Sequence, residues 1–312
     1  MKFFDLHCDT AYECSVKLDG IPIDKGAGQL SLERGAYLDT WHQVFAVFMP
    51  DEYRGDAALA HYRKVRDYIK RQSELFPERF ILCKNAEEMK DAERKGVCGA
   101  IMSVEGGSAA AGSLDNIRSM YDDGVRLMTL TWNAANEIAS GVLAPEKGGL
   151  TPFGRDAVAL MNSLGMIVDV SHLSDEGFAD VAALAEKPFV ASHSCARSLC
   201  SNPRNLTDEM FCTIRDKGGL VGINFYRFFL RDDGEADMYD ILRHTEYFLA
   251  LGGEDTVCMG SDFDGAEMPA GVTGIESMGE IYEMFLRNNY SEALTEKLFW
   301  GNAHGFFSEV LK

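Results

Sequence analysis

The chain has 312 residues, 46% hydrophobic and 25% charged, the composition of an ordinary globular protein with enough apolar material for a sizeable core. A formal net charge of -19 would repel a phosphate backbone and argues against nucleic acid as a partner. No apolar stretch is long enough to span a bilayer and no basic-then-apolar leader is legible, so no membrane association is expected; eight cysteines without a CxxC spacing read as reduced thiols of a cytoplasmic protein.

In chain order, eight short apolar runs are expected as strands: 3–6, 44–48, 99–104, 125–130, 167–170, 189–191, 220–223 and 257–260. Between them lie amphipathic stretches expected as helices, among them 56–74, 113–122, 154–164, 175–185, 207–217 and 238–251. Thr151-Pro152 suits a helix start, an N-cap side chain before a proline in the first turn. Near-continuous apolar strands alternating with helices imply a parallel sheet covered on both faces. Eight of them imply an α/β fold of the (β/α)8 TIM-barrel class, with chemistry at the C-terminal strand ends. An open doubly wound sheet would instead gather the site at one switch point. No repeat or linker divides residues 1–312, so a single domain is expected. Two stretches, 140–150 and 231–240, read as loops over the site and candidate lids.

Polar, metal-competent residues fall just past five of the apolar runs. His7 and Asp9 follow the first, Glu105 the third, His172 the fifth, His193 the sixth and Asp262 the eighth. His7 and Asp9 are two apart, so an extended chain aims both to one side while Cys8 faces the core. Imidazole and carboxylate together suit zinc best, manganese or cobalt less well. Singly, each residue has a plainer reading: a buried histidine bonded to a carbonyl, an aspartate at a helix N-cap, a glutamate before a glycine turn. Jointly, those readings require five coincidences around one rim. His61 is expected on a solvated helix face, and His42, His244 and His304 as non-ligands. Asp5 is a candidate either to orient a ligand histidine or only to cap a loop, Asp264 either to support Asp262 or merely to serve as a cap, and Arg197 to be a surface cation or to stand behind His193.

The segments Asp5-Leu6-His7-Cys8-Asp9-Thr10, Ser103-Val104-Glu105-Gly106-Gly107, Asp169-Val170-Ser171-His172, Ser192-His193-Ser194, Pro203-Arg204-Asn205-Leu206, Asn224-Phe225-Tyr226 and Ser261-Asp262-Phe263-Asp264-Gly265 occur in this order from one end of the chain to the other. In that ordered set the chain resembles the renal (membrane) dipeptidase family of zinc metallopeptidases, barrel enzymes related to the amidohydrolases. The resemblance implies two zinc ions per chain, His7 and Asp9 on one, His172 and His193 on the other, and Glu105 bridging both. It implies hydrolysis of dipeptides, including those with a C-terminal D-residue, by a water between the two ions. Asp262 would be the general base and acid, and Arg204 and Tyr226 the carboxylate end of the pocket. A homodimer is implied by the same analogy.

One position departs from the family pattern. Trp132 stands where the best-known members carry a histidine that holds the substrate, and Asn133 beside it is a candidate to compensate. Trp132 offers a single indole N–H and cannot accept a proton. That departure keeps two alternatives in view: hydrolysis of another small amide or a lactone on the same centre, and a barrel that binds metal or ligand without catalysis.

Overall fold

Eight strands are regular: β1 (Lys2–Cys8), β2 (Thr40–Phe48), β3 (Phe80–Leu82), β4 (Cys98–Glu105), β5 (Val125–Thr129), β6 (Ile167–Asp169), β7 (Val221–Ile223) and β8 (Val257–Met259). The computed structural model describes residues 1–26 and 28–312. The strands pair in parallel in the order β6-β5-β4-β2-β1-β8-β7, with β3 on the side of β4. The run 189–191 closes the ring. Val190 bridges Asp169 at the end of β6, and Ala191 bridges Val221 at the start of β7. The expected eight-stranded barrel is therefore present, its sixth wall being too short to form a regular strand. β3 was not expected, because three residues after a turn leave too short an apolar run to read.

The helices are α1 (Thr10–Tyr12), α2 (Gly55–Leu75), α3 (Ala86–Lys95), α4 (Leu114–Asp123), α5 (Pro152–Leu164), α6 (Asp175–Leu184), α7 (Asp208–Asp216), α8 (Arg227–Leu230), α9 (Met238–Ala250), α10 (Met278–Arg287), α11 (Glu292–Glu296) and α12 (Asn302–Val310). Thr151 caps α5 as its sequence implies, its hydroxyl accepting from the Gly154 amide at 2.9 Å. Two apolar layers result. Phe4, Leu6, Val44, Ile101, Leu127, Ile167, Val190, Leu220 and Cys258 come from the eight walls and pack together in one buried cluster with Trp300 and Phe307. Register matches such as Val44 with Ile101 and Leu127 with Ile167 put these side chains on one face, the barrel lumen. A second, larger cluster fills the space between the strands and the helices.

This framework fixes the height of the rim. Phe48 pairs with Glu105, Glu105 with Thr129 and Thr129 with Asp169, so the C-terminal ends of β2, β4, β5 and β6 lie level. The β1–β2 ladder slips between Asp5 and Cys8. At that irregularity Leu6 serves the lumen and His7, the very next residue, serves the rim.

Candidate metal centre

Six side chains from five walls meet above the lumen, all buried except the part-buried Asp262. The Glu105 carboxylate is central. Its Oε2 lies 3.4 Å from His7 Nε2, while its Oε1 lies 2.9 Å from His172 Nε2 and 3.5 Å from His193 Nε2. His7 Nε2 is also 3.5 Å from Asp9 Oδ2 and 3.7 Å from Asp262 Oδ1. Two groups of donor atoms, those of His7, Glu105 and His193 and those of His7, Asp9 and Asp262, each lie within 4.8 Å of one another. Cys8 is fully buried and takes no part.

The neighbours behind these residues settle which nitrogen of two histidines carries hydrogen. Asp169 is fully buried at the end of β6 and accepts from the Thr129 hydroxyl, the Ser192 hydroxyl and the Ser171 and Ser192 amides. With its only proton committed to Asp169, the Ser192 hydroxyl can only accept from His193 Nδ1, 2.7 Å away. His172 Nδ1 likewise donates to Asn133 Oδ1 at 3.1 Å. Both Nε2 atoms are thereby left as bare lone pairs, and they face each other at 2.9 Å beside a carboxylate oxygen. Burial first, then nearby cations, holds both rings neutral, with His172 pulled down to about 4 and His193 well below its usual value. Lone pairs aimed at one another with no proton between them are repulsive unless a cation sits among them.

The other half of the cluster makes the same demand. His7 Nδ1 and Nε2, Asp9 Oδ1 and Glu105 Oε2 are buried and have no hydrogen-bond partner. Burial opposes a charge on His7, but Glu105 and Asp9 outweigh it and push its pKa well up. Burial and the Glu105 charge raise Asp9 to about 7, and burial raises Asp262. The residues present fit metal ions.

Backbone geometry holds the rim under strain. His172 and Asp262 have φ of 67° and 64°, in the left-handed region that non-glycine residues seldom occupy. Asp5, fully buried, accepts from the Ser261 amide at 2.7 Å, from its hydroxyl and from Gln43 Nε2. It pins the turn that presents Asp262, the loop-capping role of the two expected for it. Asp264 accepts from the Thr10 hydroxyl and the Gln29 amide, so it ties the β1 exit to the following loop rather than bracing Asp262. Asn224 does that, its Nδ2 donating to Asp262 Oδ2 at 2.9 Å.

A cleft of about 610 Å³ opens over the cluster, lined among others by Asp9, Glu105, His172, Asp262, Arg204, Tyr226, Trp132 and Asn133. Arg204 is buried, with one Nη donating to the His193 carbonyl at 3.3 Å and Nε unpaired. Burial lowers its pKa to about 10, which leaves it charged at neutral pH. Tyr12 and Phe48 also line the cleft and had no predicted role, together with Leu143 and Phe229. The signal for Tyr12 and Phe48 was positional: Phe48 ends β2 and Tyr12 comes four residues after β1, but apolar residues there read as core. Of the two candidate lids, 140–150 contributes Leu143, whereas no residue of 231–240 lines the cleft. Arg197 pairs with Asp175 and two loop carbonyls, away from His193. His61 is buried and bonded to the Phe48 carbonyl instead of solvated. His42 and His304 share Glu93, and His244 bonds to backbone, all remote from the cluster.

A parallel barrel with this acceptor set at its C-terminal mouth defines a metal-dependent hydrolase class. Over residues 1–311 the chain matches the membrane dipeptidase family, peptidase family M19, and it belongs to that family: it is a metallodipeptidase. A metallo peptidase from Rhodobacter sphaeroides, solved with a phosphinate mimic of the dipeptide L-Ala-D-Ala, is 29% identical and superposes with a TM-score of 0.92 over 100% of this chain and 99% of its own. A structure described as the dipeptidase AC, also of family M19, is 30% identical with a TM-score of 0.93 over 100% and 99%. A curated relative, described as an uncharacterized protein in the pqqA 5′ region of Klebsiella pneumoniae, is 37% identical over 234 residues, 72% of this chain and 86% of that protein. Among the described residues no helix is long and apolar enough to cross a membrane.

Proposed function

We propose that the protein is a cytoplasmic zinc dipeptidase holding two ions per chain, His7 and Asp9 binding one, His172 and His193 the other, and Glu105 both. The observation that carries this reading is the split of Glu105, one oxygen toward His7 and the other toward His172 and His193. When bound, two such ions would lower the pKa of a water and polarise the scissile carbonyl.

The chain's own residues do the rest. Asp262, part-buried and with a raised pKa, takes the proton from the attacking water and returns it to the leaving amine. Asn224 holds Asp262 Oδ2 and leaves Oδ1 turned toward His7. Arg204, charged and with an unpaired Nε, receives the free carboxylate of the substrate, with Tyr226 beside it. Asn133 keeps His172 in the tautomer that ligates. Trp132 replaces a polar substrate contact with an apolar one. The phosphinate mimic of L-Ala-D-Ala on the Rhodobacter protein supports acceptance of a C-terminal D-residue here. Residues 1–312 act as one barrel domain, and two such chains pair as a homodimer.

In this scheme Arg204 reads the free carboxylate and Asp262 also holds the free amino group, so both substrate termini are read. Dipeptides should be hydrolysed, while N-blocked and C-amidated analogues of the same dipeptides should lose at least an order of magnitude in kcat/KM, the scale of an unpaired buried charge. Equal hydrolysis of the C-amidated analogue would remove Arg204 from its role. Trp132 favours a second reading, a cyclic amide or lactone hydrolase, which the blocked analogues would also reveal by being accepted.

A further inference from the structure

The cleft has two unlike halves. Around the ring, β1, β2, β4 and β5 are contiguous, and so are β6, the 189–191 wall, β7 and β8. Arg204 and Tyr226 follow walls of the second half, and both pack on Phe229, Arg204 with its guanidinium 5.1 Å from the ring centre and Tyr226 edge-on at 4.8 Å. The first half carries Tyr12 after β1, Phe48 at the end of β2 and Trp132 after β5. Phe48 joins the other two, edge-on to Tyr12 at 5.0 Å and to Trp132 at 4.9 Å. Leu143 completes this arc at the mouth, where 57% of its surface is exposed.

An apolar arc left open to water beside a polar centre is poised to cover apolar substrate. We propose that Tyr12, Phe48, Trp132 and Leu143 form the pocket for the N-terminal side chain of the dipeptide, and that it selects bulky apolar side chains over glycine and alanine. The inference rests on the dipeptidase reading above. A carboxylate on Arg204 and a scissile carbonyl over Glu105 leave the acyl residue only the opposite half of the cleft. Trp132 is the decisive member, since its indole is the largest side chain of the arc and packs edge-on to Phe48 while lining the cleft. The three rings are mutually packed and lose little freedom on binding, which favours a preformed pocket.

The test varies the N-terminal residue with alanine held at the C-terminus. With the metal-loaded enzyme, Leu-Ala and Phe-Ala should exceed Gly-Ala in kcat/KM by at least ten-fold, the scale of added methylenes in an apolar pocket. The reversed series, Ala-Leu and Ala-Phe, should show a smaller spread. Trp132→Ala and Leu143→Ser should each compress the Phe-Ala to Gly-Ala ratio. A flat N-terminal series, a larger spread in the reversed series, or an unchanged ratio in both variants would overturn the proposal.

A second readout separates the pocket from the chemistry. Trp41 and Trp300 are buried away from the cleft, so a cleft ligand should perturb the fluorescence of Trp132 alone. In metal-loaded Asp262→Asn, Phe-Ala should saturate this change at a concentration at least ten-fold lower than Gly-Ala. If wild-type protein holding both metals cleaves no dipeptide yet Asp262→Asn shows that graded binding, the dipeptidase reading fails and the pocket stands. Ungraded binding overturns the pocket whatever the turnover.

Discussion

Glu105 is a buried and Asp262 a part-buried carboxylate at the barrel mouth, and their surroundings divide their work. Glu105 is flanked by three imidazoles, which overcome the effect of burial and hold its pKa well down, so it is an anion ready to ligate. Asp262 is raised by burial and is braced by a neutral amide, so it takes up a proton more readily than a free carboxylate does. Glu105→Gln should therefore lose metal and activity together, as read by metal analysis and turnover of one preparation. Asp262→Asn should keep both metals and lose turnover by at least about 100-fold, the usual contribution of a general base. Full activity in Asp262→Asn would end its assignment as the base. The ligand candidates were legible as residues because histidines and acids are conspicuous at strand ends. Their supports were not: Asp169, Ser192 and Asn224 act through buried hydrogen bonds between walls distant in sequence, and residue type alone does not announce that.

Loops between elements carry the precision of the site. Gly265 follows Asp262 by three residues, and a Cβ there would drive into Asp9 Oδ2 and Asp262 Oδ1. Gly265→Ala should leave the melting temperature nearly unchanged, because the loop lies above the barrel, while lowering metal content and turnover. Retention of both metals with full turnover would show that the carboxylates can yield. Away from the site, Asp123 at the end of α4 binds Tyr62, Arg66 and Lys70 of α2. Burial opposes its charge, but Lys70 and Arg66 prevail and lower its pKa. Its contribution is complete above the free-chain value of 3.8 and fades as pH falls through the lower folded value. Asp123→Asn should cost about 1 kcal/mol at neutral pH, discounted for partial exposure, with the difference shrinking in strong acid. Denaturant melts at both pH values would check it, and a penalty that persists in strong acid would contradict it. At this scale the sequence marked every barrel wall but missed β3, whose three residues pair outside the ring. The polar run around His61 suggested a wet face, whereas the α2 stripe of Tyr62, Val65 and Ile69 carries His61 inward onto the Phe48 carbonyl.

At the scale of the whole molecule, five buried walls converge on a centre whose charges are unbalanced without metal. Cations that bind only the folded chain should stabilise it by mass action, about 2.7 kcal/mol at a hundred-fold excess over the dissociation constant. Chelation should accordingly lower the melting temperature and zinc restore it. An unchanged melting temperature would mean that protons alone satisfy the cluster. The barrel was readable because strand and helix periodicities alternate cleanly. The cleft was not, since its two halves exist only once the ring closes through Val190 and Ala191. The most direct measurement is metal content together with L-Ala-D-Ala and L-Ala-L-Ala hydrolysis on one preparation, before chelation, after it, and after zinc is returned. Two zinc ions per chain, with turnover that disappears on chelation and returns with zinc, is the predicted result. Full turnover by the stripped protein, or two bound ions with no dipeptide hydrolysed, would contradict it.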